Sequence, residues 1–136
     1  MHLRPFLPAL GLALSLAGCA ALPGAGCPAD AQPAINDFLY FGTARPGGVV
    51  SPQEWSAFLA EVVTPRFPDG LTAWPAAGQW RAADGRITRE DAYVLNIVHP
   101  QDARSDEALR AIAAAYRSRF AQESVLRVRQ PACITP

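Results

Sequence analysis

Hydrophobic and polar positions follow two periods along this chain, and a block near its start follows neither. Residues 6–17 form that block and are apolar except for Ser15. Residues 20–36 are rich in Ala, Pro and Gly without a hydrophobic period, as expected of a Pro-stiffened tether. Residues 38–43 are then aromatic and apolar in succession, which predicts a strand buried on both faces. Pro46, Gly47 and Gly48 break it. A helical period starts at Ser51, which can cap. Pro52 suits the first helical position and Glu54 completes a capping box. Trp55, Phe58, Leu59, Val62 and Val63 follow at i, i+3, i+4, i+7 and i+8, giving one core-facing stripe. Thr64 before Pro65 predicts its end.

Past the turn signal Pro68, Asp69, Gly70, strand patterning returns. Residues 71–74 predict a second strand, interrupted at Pro75, Ala76, Ala77 and Gly78 and resumed at Gln79, Trp80 and Arg81. Asp84 and Gly85 predict a tight hairpin leading into a third strand over 87–99. A turn centred on that pair opposes Gln79 to Glu90 and Trp74 to Leu95, unless the interruption shifts the second pairing. A second helix starts at Asp102 or Ser105, with Leu109, Ile112, Ala113, Tyr116 and Phe120 as its stripe. Arg117 and Arg119 favour its dipole near the end. Residues 125–129 predict a fourth strand. Leu126 and Val128 face one way and Val125, Arg127 and Arg129 the other, as on a protected edge.

The order β-α-β-β-α-β predicts an α+β, ferredoxin-like sandwich, a four-stranded antiparallel sheet with two helices on one face. The other face would then be bare, although both central strands carry apolar side chains on both sides. Phe38 and Tyr40 oppose Leu39 and Phe41; Tyr93, Leu95 and Ile97 oppose Val94, Asn96 and Val98. Either residues 75–78 or the tether cover the bare set, or it is a contact surface, most simply for a second copy in a homodimer.

The opening block changes the picture of where the chain works. It follows Arg4 and is too short for a spanning helix, which needs ~20 apolar residues. Leu16, Ala17, Gly18 and Cys19 resemble the bacterial lipobox. The expectation is a signal peptide at 1–18, a lipidated Cys19 with the tether at 19–36, and one globular domain at 37–136. Small residues before the cut fit a narrow protease groove, and the Cys19 thiol accepts diacylglycerol. Two or three acyl chains, at roughly 0.8 kcal/mol per buried CH₂, anchor a protein stably. The alternative is an ordinary signal peptide with an incidental Cys. Ala20 stands where an Asp would hold a Gram-negative lipoprotein at the inner membrane. That implies the outer membrane, facing the periplasm, provided the organism has two membranes.

With Cys19 consumed by lipid, Cys27 and Cys133 remain in an oxidising compartment and are expected to pair. In the arrangement above, the end of the fourth strand lies near the start of the first, which agrees with that pairing. A metal pair or a free thiol is the alternative, and the only histidines are His2 and His99. Acidic and basic residues balance at 12 each, so nothing suggests nucleic acid as a partner. The basic residues are all Arg, which reads as codon bias.

The segments LYFG, SPQEWSAFLAEVVTPRFPDGLT, GQWR and YRSRFAQESVLRV, with a late Cys, resemble the bacterial lipoprotein family catalogued as domain of unknown function 3574. The likeness covers roughly residues 37–135. It implies the domain limits and an exported setting, and carries over no catalytic residue.

Candidate chemistry is sparse. Glu90 and Asp91 should point to opposite faces, and His99 before Pro100 reads as a surface residue. No spacing matches a nucleophile elbow, a phosphate loop or a metal site, so no cofactor is expected. Two places suit a ligand. Arg66 and Asp69 on the loop after the first helix can hold an anion and accept a hydrogen bond; the alternative is a turn Asp and an ion-paired Arg. Trp80 with Gln79, Arg81 and Glu90 suits a sugar or peptide; the alternative is a Trp packed in the core. These features favour a lipid-anchored envelope protein that binds a second copy, an envelope protein or a cell-wall component without catalysis. The rival is a small ferredoxin-like enzyme with its site between sheet and helices or at a dimer interface.

Overall fold

The computed structural model describes residues 26–81 and 83–135. The signal peptide expected at 1–18 and the lipidation site Cys19 lie outside these residues. Strand β1 spans Gln32–Gly42, and a small ladder of β2 (Ala44–Arg45) and β3 (Gly48–Val49) follows. Helix α1 (Pro52–Phe58) continues into a π-helical turn, Leu59–Val63. Then come β4 (Thr72–Arg81), β5 (Ile87–His99), α2 (Ala103–Phe120) and β6 (Leu126–Ile134). The main sheet has the order β4-β5-β1-β6 with every pair antiparallel. This is the ferredoxin-like α+β arrangement that the pattern of elements predicts.

Local chemistry explains the helix limits. The Ser51 side chain accepts from the Glu54 N–H, and the Glu54 carboxylate accepts from the Ser51 N–H, so the capping box forms. Pro65 has no N–H to continue the ladder, and Thr64 reaches back five residues to the Leu59 carbonyl at 2.9 Å. Asp102, rather than Ser105, caps α2: its carboxylate accepts from the Ser105 N–H at 2.6 Å.

Three expectations need correction. First, β1 begins at Gln32, inside the stretch read as tether, because Gln32 to Tyr40 pairs along the whole of β6. Cys133 accordingly lies within β6 rather than after it. Second, β4 runs unbroken through Pro75 and Gly78. It is an edge strand, where a missing N–H can face outward without loss of a ladder bond. Third, pairing ends at Arg81 with Ile87, so the strands are joined by more than a two-residue turn. Gly85 supplies a positive φ of 85° there. The register moves by one residue: Trp74 opposes Val94, Gln79 opposes Arg89, and Gly78 opposes Glu90.

Period two then sorts the sheet into two faces. Leu39, Phe41, Leu95 and Ile97 pack under Trp55, Phe58, Leu109, Ile112, Tyr116 and Phe120, so both helices cover this one face. Phe41 sits 5.1 Å from Trp55 and 4.6 Å from Tyr116, ring centre to ring centre. Trp55 stacks on Tyr93 at 4.6 Å. The opposite face carries Tyr40, Trp74, Trp80, Val98 and Leu126, all among the exposed large hydrophobics. Residues 75–78 do not fold over it, since they are part of β4 itself. Cys27 and Cys133 lie at disulfide-bond distance with their Cα atoms 5.5 Å apart, inside the range a disulfide requires.

Candidate functional site

The bare face is not flat. Where β5 crosses between β1 and β4, small residues leave the sheet without side-chain cover. Gly42 opposes Ala92, Ala76 opposes Ala92 from the other side, and Gly78 opposes Glu90. Tyr40 and Leu126 stand at one end of this trough and Trp80 at the other. Residues 44–46 and 121–124 line its side. The result is a cavity of about 550 Å³, within the ~300–1,000 Å³ common for small-ligand sites.

One carboxylate is built into its floor. Glu90 Oε2 accepts from the Ala44 N–H at 2.8 Å. A Cβ added at Gly42 would lie 2.8 Å from Glu90 Oε1, so the carboxylate lies across the sheet only because residue 42 lacks a side chain. The Gly42 carbonyl accepts from the Tyr116 hydroxyl at 2.9 Å, which fixes this strand end to the core. Burial pushes the Tyr116 phenol far above its ordinary range and keeps it a donor. The neighbouring wall is held similarly. Gln122 donates to the Ala44 carbonyl at 2.6 Å, and Arg45 Nη2 donates to both Glu54 oxygens at 2.8 and 2.9 Å. Arg45 is therefore engaged with α1, whereas Glu90 has no cation paired to it among the described residues.

The one-residue register shift decides which candidate residues meet. Trp80 and Glu90 share the bare face, and Trp80 is 40 % exposed rather than packed in the core. Gln79 also lines the cavity, but its side-chain oxygen accepts from Arg89 Nε at 3.4 Å. The other candidate pair does not come near. Arg66 donates to the Val62 carbonyl at 2.6 Å, closing the end of the first helix, and Asp69 is an exposed loop residue. Arg66 thus serves a carbonyl where the sequence allowed either an anion or a carboxylate partner.

A second polar constellation lies under the sheet and escaped the sequence reading. Asp37, fully buried, accepts from Arg127 Nε and Nη2 and from His99 Nε2, each at 2.7 Å. His99 is 4 % exposed, not a surface residue. Its Nδ1 faces the Pro100 carbonyl at 2.7 Å, so both ring nitrogens meet oxygen atoms. Arg127 Nη1 donates to Asp106 in the first turn of α2 at 2.7 Å, and Arg129 and Arg110 also reach Asp106. Burial alone would push the Asp37 carboxyl up; the hydrogen bonds and charges of Arg127 and His99 outweigh it and hold it below the usual range. On the edge strand β6, Arg127 thus points inward and is paired, while Arg129 is exposed and reaches Asp106 from outside. Among the described residues no cluster of His, Cys, Asp and Glu is placed to hold a metal ion, and no helix is long and apolar enough to cross a membrane.

Residues 36–135 match the family described as Protein of unknown function (DUF3574). The chain belongs to this family. The matched segment contains the trough, Glu90 and Trp80, and the Asp37 cluster as well. No curated protein matches the chain. Among solved structures it is similar to a phage SAM lyase in complex with S-methyl-5'-thioadenosine. The identity is 13 %, the TM-score 0.59, and the overlap covers 83 % of this chain and 95 % of that one. A phage SAM lyase in the apo state is similar at 13 % identity and TM-score 0.55, over 75 % of this chain and 89 % of that one. At this identity the likeness is one of fold.

Proposed function

We propose that this member of the DUF3574 family is a lipid-anchored, non-catalytic binding module of the bacterial cell envelope. Its ligand would occupy the trough on the sheet face that the helices leave bare. The observation that carries the reading is that trough: apolar walls, a floor of Gly and Ala, and a single carboxylate positioned by the backbone. The lipid anchor is inferred from Leu16, Ala17, Gly18 and Cys19 behind the apolar leader. It would place the domain at the outer membrane, facing the periplasm, if the organism is Gram-negative.

The enzyme reading draws on the fold neighbours, whose name is that of a SAM lyase. Against it, the space between sheet and helices is filled by Phe41, Trp55, Phe58 and Tyr116, all buried. Two carboxylates line the trough, Glu90 and Glu123, and neither has a second acid or base hydrogen-bonded to it among the described residues.

The test has three arms on the full chain. Replacing Cys19 with Ser should abolish acyl labelling and release the protein from membranes; retained labelling overturns the anchor. A photo-crosslinking residue at Leu126, at the mouth of the trough, should capture a small ligand in cells, while one at exposed Glu107 on α2 should not. Adducts of double mass from Leu126 would show a second copy on this face instead. Incubation with SAM should yield no S-methyl-5'-thioadenosine, and its formation overturns the non-catalytic reading.

A further inference from the structure

We infer that the ligand of the trough is a small organic cation, a protonated amine carried on an apolar ring, an inference that rests on the binding reading above. The trough presents a carboxylate whose Oε1 accepts no hydrogen bond from the described residues, in a wall that is otherwise mostly apolar. Arg45, the base in this lining, gives Nη2 to both Glu54 oxygens and lies 5.7 Å from the Phe120 ring, so its charge is paired with α1 and not with Glu90. Glu123 also lines the cavity, which leaves its charge negative. An anionic ligand would meet two carboxylates and one base already paired with Glu54.

The spacing along the strands favours a cation beside an aromatic ring. Trp80 opposes Thr88, and Gly78 opposes Glu90, so Trp80 is the diagonal neighbour of Glu90 on the same face. Such diagonals lie ~7–8 Å apart, within reach of a Trp ring. An ammonium between them contacts a carboxylate on one side and an indole face on the other, the pairing by which proteins take organic cations. From Glu90 the floor continues over Ala92 and Gly42 towards Tyr40, which opposes Val94. Four residues of strand are ~13 Å, which accommodates one ring and a short arm. Gly42 is the enabling position, because a side chain there would displace the carboxylate and fill the floor at once.

Three probes of one shape and different charge test this: benzylammonium, benzyl alcohol and benzoate, titrated into the purified full chain by saturation-transfer NMR and Trp emission. Benzylammonium should bind at least tenfold more tightly than the alcohol, and benzoate should not bind. Glu90→Gln keeps an acceptor for the Ala44 N–H and should reduce benzylammonium to the level of the alcohol, leaving the alcohol unchanged. Trp80→Leu should weaken both, and Glu107→Gln, which removes the same charge from an exposed helix position, should change neither. Binding of the alcohol or benzoate as tightly as the amine, or indifference to Glu90→Gln, overturns the cation while the trough stands through Trp80→Leu. If no probe binds, or none responds to Trp80→Leu, the trough itself is not the site.

Discussion

Arg127→Met is the most informative perturbation of the fold. Arg127 is only 20 % exposed and donates twice to Asp37, whose side chain is fully buried. Met keeps the length of the chain and removes the charge and every donor. Removing one partner of a buried pair costs roughly 3–5 kcal/mol, because the remaining charge is left without compensation. His99 still donates to Asp37, which places the expected loss near ~3 kcal/mol, the lower end of that range. A domain of this size has a total stability of about 5–15 kcal/mol, so the variant should lose a large part of it. Urea unfolding of the full chain, followed by Trp emission and far-UV circular dichroism, gives the difference at constant m-value. The comparison is Glu61→Gln, which breaks the Arg119 pair on the surface, where side-chain exposures are 37 % and 60 %. Exposed pairs of that kind contribute roughly 0.2–1 kcal/mol. Asp37→Asn combined with Arg127→Met should cost less than the two losses added, because no charge is then stranded. If Arg127→Met costs no more than Glu61→Gln, or the two cluster mutations simply add, the cluster does not hold β6 to α2 in the way its geometry implies.

Three further outcomes follow from the same structure. Asp37 and Asp106 both titrate below their ordinary values in the folded state, so their stabilisation is complete above the unfolded carboxylate value of ~3.9 and fades as pH falls through the depressed folded values. Acid titration of unfolding should show that loss below about pH 4, and a smaller one in Arg127→Met; an equal loss in both would contradict it. Cys27 and Cys133 should be recovered as linked peptides from unreduced digests, and reduction should lower stability by up to ~4–5 kcal/mol, the chain-entropy value for a closed loop of about a hundred residues. Gly42→Ala should leave the fold nearly intact, since its Cβ meets only the movable end of Glu90. It should nevertheless weaken benzylammonium binding, because the carboxylate can no longer rest on the Ala44 N–H. Unchanged affinity there would separate Glu90 from the site.

Much of the fold was legible because its signals are local. The capping box at Ser51 and Glu54, the stripe through Trp55 and Phe58, and the Asp102 cap each lie within one or two helical turns, and propensity and period report on that range. The order of elements then limits the topology to few choices, and the approach of Cys27 to Cys133 follows from it. What escaped was decided by contacts between residues distant in the chain. Asp37, His99 and Arg127 read singly as a strand acid, a surface histidine and an edge charge; only the β1 pairings with β5 and β6, under the first turn of α2, bring His99 and Arg127 each to 2.7 Å from Asp37. The trough depends on register. A two-residue turn at Asp84 and Gly85 would have set Gln79 opposite Glu90, whereas the longer loop sets Gly78 there and turns Trp80 to the same face. A shift of one residue reverses which side chains share a face of a sheet, and loop length fixes that shift through the tertiary pairing of whole strands. The sequence therefore determined the elements and their order, and the tertiary structure decided which of their side chains meet.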